Sequence, residues 1–280
     1  MLFSVYVDDL IQLLKHSGYC TYIGSQYVGT ILYAAYITLL SGSCRGLQRM
    51  LDICAEFGHE WDICFNAKKS QILTLGGSNP VNCRLFLGNK PIQWTSKVKY
   101  LGIHILAGDV QKVDITDAKR KYYECFNSIL SICGNVETRL LHYTLFIKSY
   151  CLSRLLYGCE GMLLSTLQTR ELDVIWNNVF RYIFNCCWRE SVKPLQFYCN
   201  TVPLSYMTDE RKLQFYRKIL LRKNVILRTL MYLPGVFSDH MFLCSKYAVR
   251  PTSTRDSIKD AVKHAFMAWM YICSFSSVRL

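Results

Sequence analysis

The hydrophobic positions of the first sixty residues change between helical and strand spacing. Apolar residues between positions 2 and 14 recur at helical spacing and predict a helix. Residues 30–40 are rich in β-branched and aromatic side chains, so we expect two short strands that turn near Ala34–Ala35. Ser43 is a typical N-cap residue and precedes apolar positions at helical spacing, which predict a helix that ends at Gly58.

Short strand signals dominate the next forty-five residues. Alternating or β-branched segments separated by glycine, asparagine and serine predict strands, and Gly88-Asn89 is a typical hairpin turn. The predicted strands are residues 61–65, 71–75, 84–87, 91–94 and 97–105. Together with the helices before them they predict an α+β region.

From residue 116 onward the pattern is helical almost throughout. Apolar residues recur at intervals of three and four, which is typical of helices that bury one face. The predicted helices are residues 116–133, 140–157, 167–188, 207–233 and 255–273. The chain is therefore expected to be α+β in its first part and mostly helical in its second.

The charge of the chain is positive and unevenly distributed. The formal net charge is +13; residues 1–60 carry −2, residues 61–150 carry +6 and residues 151–280 carry +9. An excess of Lys and Arg beside many aromatic residues suits a nucleic-acid partner, because these cations neutralise phosphates and release counterions. A solvated basic surface that keeps the protein soluble is the alternative.

The fourteen cysteines do not indicate a metal site by their spacing. The sequence has no CxxC pair. His240 and Cys244 are four residues apart, as two ligands on one helical face would be, but further cysteines that could complete a site are distant in sequence: Cys186, Cys187 and Cys199. We expect reduced thiols, no bound metal, and a protein of the nucleus or the cytoplasm. The longest uncharged apolar run, residues 28–40, is too short to span a bilayer, so no membrane partner is expected.

Four motifs follow one another within the first 105 residues. They are residues 2–11 (LFSVYVDDLI), 32–41 (LYAAYITLLS), 65–70 (FNAKKS) and 100–103 (YLGI). In this order they resemble four motifs of non-LTR (LINE-type) retrotransposon reverse transcriptases. The first resembles the helix after the template-contacting loop, and the second resembles the aromatic-Ala-Asp-Asp turn. The third resembles the motif after the palm helix, and the fourth resembles the primer grip. The resemblance implies a truncated right-hand polymerase palm, an antiparallel sheet with helices, followed by a mostly helical thumb-like region.

The resemblance also implies a chemistry that this sequence lacks. In the family, DNA synthesis is a phosphoryl transfer assisted by Mg²⁺ ions that carboxylates hold, since hard cations bind oxygen anions. The positions that match the paired aspartates are Ala35 and Tyr36. The third family carboxylate and the fingers would lie before Met1. We therefore expect no intact catalytic residue, no cofactor and no polymerase activity.

Asp8 and Asp9 form a second aromatic-x-Asp-Asp sequence that must be weighed against this assignment. An active turn of that kind lies between two strands, whereas residues 11–16 continue a helical pattern. We expect both carboxylates to face solvent on that helix.

Two of the matching motifs contain candidate nucleic-acid contacts. Lys68 and Lys69 match the lysine that lies near the triphosphate in the family, and Tyr100, Leu101 and Gly102 match the primer grip. The alternatives are solvated loop lysines and ordinary core strand residues, with Gly102 permitting close packing.

The predicted helix at residues 207–233 contains seven basic residues. Four of them, Arg211, Lys212, Lys218 and Arg222, are candidate phosphate contacts, and the others are Arg217, Lys223 and Arg228. A charged outer helix face is the alternative.

The resemblance implies three regions, a partial palm at 1–106, a thumb-like region at 107–205 and a basic helical extension at 206–280. The implied function is that of a degenerate retrotransposon RNA-directed DNA polymerase that at most binds RNA or DNA weakly and without sequence preference. Two alternatives stay open: one piece of an active enzyme completed by upstream sequence or another chain, or a translated pseudogene product without function. A palm without its first strands would expose an edge, so self-association is expected.

Overall fold

The computed structural model describes residues 5–77, 80, 83–110, 112–133 and 146–276, with side chains described as far as residue 270. Within these residues the chain is a mixed α+β structure with ten α-helices and small, mainly antiparallel sheets. This confirms the predicted α+β class. None of the described helices combines the length and the apolar character needed to cross a membrane.

The described elements follow the chain in this order: α1 Asp8–His16, β1 Tyr22–Ile23, β2 Gln26–Tyr27, β3 Thr30–Tyr33, β4 Tyr36–Leu39, α2 Cys44–Glu60, β5 Gln71–Ile72, β6 Leu85–Leu87, β7 Lys90–Trp94, β8 Lys97–Tyr100, β9 Ile103–Leu106, β10 Lys112–Asp114, α3 Thr116–Cys133, a π-helical turn Ile147–Cys151, α4 Leu152–Leu155, α5 Thr166–Phe184, α6 Lys193–Tyr198, α7 Leu204–Leu221, α8 Val225–Met231, α9 Pro234–Lys246 and α10 Arg255–Ser276.

The chain divides into two compact units. Unit 1 comprises Met1–Lys112 and Lys223–Tyr232, and unit 2 comprises Val113–Arg222 and Leu233–Leu280. Unit 1 therefore contains α1, α2, nearly all the strands and the short helix α8, which contacts β2.

The strands of unit 1 form small sheets. β3 and β4 pair as an antiparallel hairpin, and so do β8 and β9. β7 lies between β5, to which it is parallel, and β6, to which it is antiparallel.

Helix α2 organises the core of unit 1. The Ser43 side chain accepts a hydrogen bond from the amide of Gly46, which satisfies a helix-end donor and fixes the start of the helix. Apolar residues at helical spacing then bury one face, which packs with Leu10 and Leu14 of α1 and with the inner face of the β3–β4 hairpin. On its other side, the Gln48 amide exchanges two hydrogen bonds of 2.8 and 2.9 Å with the backbone of Phe86 in β6.

Unit 2 has a helical core around Tyr122 and Trp176, which are 0% and 1% exposed. Helices α3, α4 and α5 and the π-helical turn supply most of this core. Helix α5 starts with a capping box, in which Ser165 and Gln168 each hydrogen-bond the other's backbone amide.

Three secondary-structure predictions are wrong. Residues 61–65 form a turn and irregular chain instead of a strand. Residues 97–105 form two strands instead of one, because the chain reverses at Leu101 and Gly102. The helix predicted at 207–233 is two helices, since Arg222 is extended and Asn224 caps a new helix by accepting from Leu227.

Most of the remaining helix predictions are confirmed, although the sequence pattern missed α6 and α9. The predicted helix at 140–157 lies partly outside the described residues.

Candidate functional site

The β3–β4 hairpin holds the two positions that match the family's paired aspartates. Tyr33 and Tyr36 are cross-strand partners, so Ala34 and Ala35 form a two-residue turn where the sequence predicts one. Ala34 has a φ of 50°, a conformation that is strained for a residue with a Cβ atom. Ala35 and Tyr36 are exposed, and Tyr36 is 66% accessible.

The two faces of this hairpin are unlike. Leu32 and Ile37 are paired across the strands and pack against the core formed by α1 and α2. The paired tyrosines and Ile31 lie on the opposite face, where Ile31 is 45% and Tyr33 57% exposed. Neither strand pairs with a further strand among the described residues.

No carboxylate is contributed by the hairpin turn, and the described part of the chain contains no group of three or more His, Cys, Asp or Glu side chains that could hold a metal ion. His240 and Cys244 are both buried in α9, at 3% and 5% exposure. The His240 ring packs against the ring of Tyr216, with centroids 5.0 Å apart. His240 is thus part of the packed interior.

Asp8 and Asp9 occupy the first turn of α1, and both side chains are exposed. The prediction that they are solvent-facing helix carboxylates is confirmed. Acidic residues in this position stabilise the positive end of the helix dipole.

Lys68 and Lys69 lie in a tight turn that begins at Asn66. The Asn66 carbonyl accepts from the amides of Lys69 and Ser70 at 3.1 and 3.0 Å, and its side-chain oxygen also accepts from Lys69 at 3.2 Å. Ala67 is buried and anchors the turn, while both lysine side chains are exposed. The turn therefore presents two cations to solvent.

The primer-grip motif forms the tip of the β8–β9 hairpin. Tyr100 pairs with Ile103, and between them Leu101 and Gly102 have φ values of 47° and 85°. Two successive positive φ values are typical of a type I′ turn. Gly102 is exposed at this turn, so it serves chain reversal and not close packing within a strand.

The four basic candidates of the helical region differ in what they contact. Arg211 donates to the carbonyl of Leu156 at 3.2 Å, and Lys212 lies 3.2 Å from the carboxylate of Asp239. Lys218 and Arg222 are exposed. Two of the four side chains are thus held within unit 2, and two are presented to solvent.

A feature that the sequence interpretation missed is the loop between α5 and α6. Trp188 is 73% exposed, and the Arg189 guanidinium lies 4.9 Å from the centre of its ring. The sequence signal for this feature was an aromatic residue followed directly by a basic residue. Such pairs are found on protein surfaces where aromatic side chains stack on nucleic-acid bases.

The predicted site residues do not line the cleft between the start of α2 and β6. That cleft has a volume of about 490 Å³. Its lining residues are Cys44, Arg45, Gln48, Arg49, Asp52, Cys83, Arg84 and Leu85.

No protein-family model, no curated protein and no solved structure matches this chain. The resemblance to a family thus rests on the four sequence motifs alone.

Proposed function

We propose that this chain is a degenerate fragment of a LINE-type retrotransposon reverse transcriptase that does not polymerise DNA and that binds RNA or DNA weakly, without sequence preference. The observation that carries the proposal is the β3–β4 hairpin. Its two-residue turn, Ala34–Ala35, falls within the segment that resembles the family's aromatic-Ala-Asp-Asp turn.

The elements on which the motifs lie support this proposal. The first motif ends in helix α1, the second forms the β3–β4 hairpin, the third is the lysine turn after helix α2, and the fourth is the tip of the β8–β9 hairpin. The proposed palm is the part of unit 1 that these elements form, and the proposed thumb-like region is the helical chain after it.

The chemistry at the turn supports inactivity. Transfer of a nucleotide requires metal ions whose positive charge stabilises the transition state, and their protein ligands are carboxylates. Ala35 lies in the turn and offers a methyl group, Tyr36 begins β4 and offers a phenol, and both residues are exposed. Neither can hold Mg²⁺ in place of an aspartate pair.

The exposed cations support weak nucleic-acid binding. Lys68, Lys69, Lys218 and Arg222 are accessible to phosphates. Arg211 and Lys212 already have partners within the protein, which leaves them less available. Affinity that rests on a few phosphate contacts is sensitive to salt and indifferent to sequence.

The test is fluorescence anisotropy of the full chain with a labelled RNA–DNA primer-template across a salt series. We expect binding that weakens with salt. The double variant Lys218→Gln/Arg222→Gln should reduce the slope of log K against log salt by about 2, one for each lost phosphate contact. Lys15→Gln, which removes an exposed cation of α1, is the matched control and should leave the slope unchanged.

Primer extension with Mg²⁺ or Mn²⁺ in the same samples tests inactivity. Binding without extension supports the proposal. Extension that Asp8→Asn or Asp9→Asn abolishes would overturn the assignment of the turn and make the chain an enzyme. Absence of binding at every salt concentration would overturn the nucleic-acid partner and favour a translated pseudogene product.

A further inference from the structure

We propose that Cys125 and Cys151 form an oxidation site, at which a peroxide or a small-molecule disulfide converts the two thiols into an intramolecular disulfide. Their Sγ atoms lie 3.4 Å apart, and both cysteines are free thiols in the structure. A disulfide has a sulfur–sulfur distance of about 2.05 Å, so the two sulfur atoms need to approach by only about 1.4 Å.

The pair is chemically asymmetric. Cys151 is 0% exposed, and its thiol donates a hydrogen bond to the sulfur of Cys125. Burial raises the pKa of the Cys151 thiol to about 12, so it remains protonated at neutral pH and keeps its role as donor. Cys125 is only partly buried, which makes its sulfur the one that an oxidant from solvent reaches first.

The reaction with hydrogen peroxide balances in two steps. The Cys125 sulfur attacks the peroxide, a sulfur–oxygen bond forms, the oxygen–oxygen bond breaks and one water leaves. The Cys151 sulfur then attacks the sulfenic acid sulfur as its thiol gives up its proton: the sulfur–sulfur bond forms, the sulfur–oxygen bond breaks, and the departing hydroxyl takes that proton and leaves as the second water. The two thiols lose two electrons and two protons in total, and the peroxide is reduced to water.

The position of the pair in unit 2 favours a defined product. Cys125 lies on α3, and Cys151 ends the π-helical turn that precedes α4. Within a helical segment such turns are rare and occur frequently at functional sites. Both side chains belong to the same hydrophobic core, so the folded chain holds the sulfur atoms together before any oxidant arrives.

A disulfide here also has a measurable effect on stability. The two cysteines are 26 positions apart, so the bond closes a loop in the unfolded chain and reduces its conformational entropy. The oxidised protein should therefore unfold at a temperature higher by about 5 °C or more.

The experiment uses the reduced full chain, treated with hydrogen peroxide or glutathione disulfide under native conditions. Free thiols are alkylated, the protein is digested without reduction, and linked peptides are identified by mass spectrometry. Cys133 falls on the same tryptic peptide as Cys125, so Cys133→Ser is the matched control. A second control is Cys64→Ser, which removes an exposed thiol.

We expect a linked peptide that joins Cys125 to Cys151, accompanied by the rise in unfolding temperature. Both should persist in Cys133→Ser and Cys64→Ser and disappear in Cys125→Ser. The Cys125 position is only partly buried, so this variant tests the proposal even if Cys151→Ser fails to fold. Cys125 and Cys151 that both remain alkylated after oxidation under native conditions, or a cross-link between their two peptides that persists in Cys125→Ser, would overturn it.

Discussion

The phenolic hydroxyl of Tyr247 donates a 2.8 Å hydrogen bond to the carboxylate of Asp209. Lys246 approaches the same carboxylate oxygen at 2.6 Å. Tyr247 is only 4% exposed, so its hydroxyl depends on this carboxylate for a partner. The three side chains connect α9 to α7.

A second cluster has the same arrangement with the roles of the two helices exchanged. Asp239 of α9 accepts a 2.6 Å hydrogen bond from the hydroxyl of Tyr216, and Lys212 lies 3.2 Å from the same oxygen. Each of the two helices thus supplies one aspartate and one lysine–tyrosine pair. The exchange fixes the register between the helices, since a shift along either axis would separate both aspartates from their partners.

Replacement of Asp209 by Asn is therefore expected to destabilise the protein by about 1–3 kcal/mol, because a buried hydroxyl and a lysine lose a charged acceptor. Urea unfolding measures the change. Asp260→Asn, which alters an exposed carboxylate of α10, should leave the midpoint unchanged. Equal midpoints for Asp209→Asn and the natural protein would mean that the cluster contributes nothing to stability.

Stability should depend on pH through His240. Burial lowers the pKa of this imidazole below its ordinary value of 6.5, and the carboxylate of Asp239 only partly opposes the shift. A group with a lowered pKa contributes its stability above its unfolded pKa and loses it as the pH falls through the folded pKa. The free energy of unfolding should therefore decrease as the pH is lowered from about 7 to 5.

The variant His240→Gln should show a shallower decrease over the same pH range, because it cannot take up the proton on unfolding. His264 is exposed on α10, so His264→Gln removes an imidazole without removing a buried one. Urea titrations at a series of pH values compare the three proteins. If the free energy of unfolding of His240→Gln falls with pH as steeply as that of the natural protein, His240 is not the source of the pH dependence.

A substitution in the turn at Leu101 should increase the stability of the protein. Leu101 has a positive φ, which brings the Cβ atom of its side chain close to a backbone carbonyl oxygen, whereas Asn-Gly is the preferred pair for a type I′ turn. Leu101→Asn should stabilise the protein by about 1 kcal/mol, and Gly102→Ala should destabilise it by a similar amount. Thermal unfolding measures both changes, and a loss of stability in Leu101→Asn would show that the leucine side chain outweighs the turn.

Self-association is expected at the outer face of the β3–β4 hairpin. Its strands have unpaired edges in the described structure, and Ile31, Tyr33 and Tyr36 are exposed there. Exposed strands with apolar side chains pair readily with other chains, and charge prevents this. Tyr33→Lys should therefore lower the average mass in sedimentation experiments over a concentration series.

The matched control is Tyr198→Lys, which changes a tyrosine that is 80% exposed on α6. It should leave the mass distribution as it is. A natural chain that sediments as a single monomer at all concentrations would contradict the expectation.

Local signals were sufficient for the β3–β4 hairpin and for the start of α2. The β3–β4 hairpin is dense in β-branched and aromatic residues, and Ser43 marks the start of α2 by its capping side chain. The reversal at Leu101 was missed because apolar residues continue on both sides of it, and Gly102 alone did not outweigh them. The break after α7 was missed because no proline or glycine marks it.

The roles of charged residues could not be inferred in the same way. Arg211 and Lys212 carry the positive charge that a phosphate-binding surface needs. However, Arg211 contacts Leu156, which is 55 positions away in sequence, and Lys212 contacts Asp239, which is 27 positions away. A sequence pattern shows which side chains carry charge. Which of them remain available to a ligand depends on tertiary contacts.

The division of unit 1 between two stretches of chain has a consequence for synthesis on the ribosome. Most of this unit, up to Lys112, is made first, but its helix α8 follows only after all of Val113–Arg222 has been translated. Until then, β2 lacks the helix that contacts it. The early part of unit 1 therefore remains incomplete until Lys223–Tyr232 has been translated, and no single cut can release unit 1 with all of its elements.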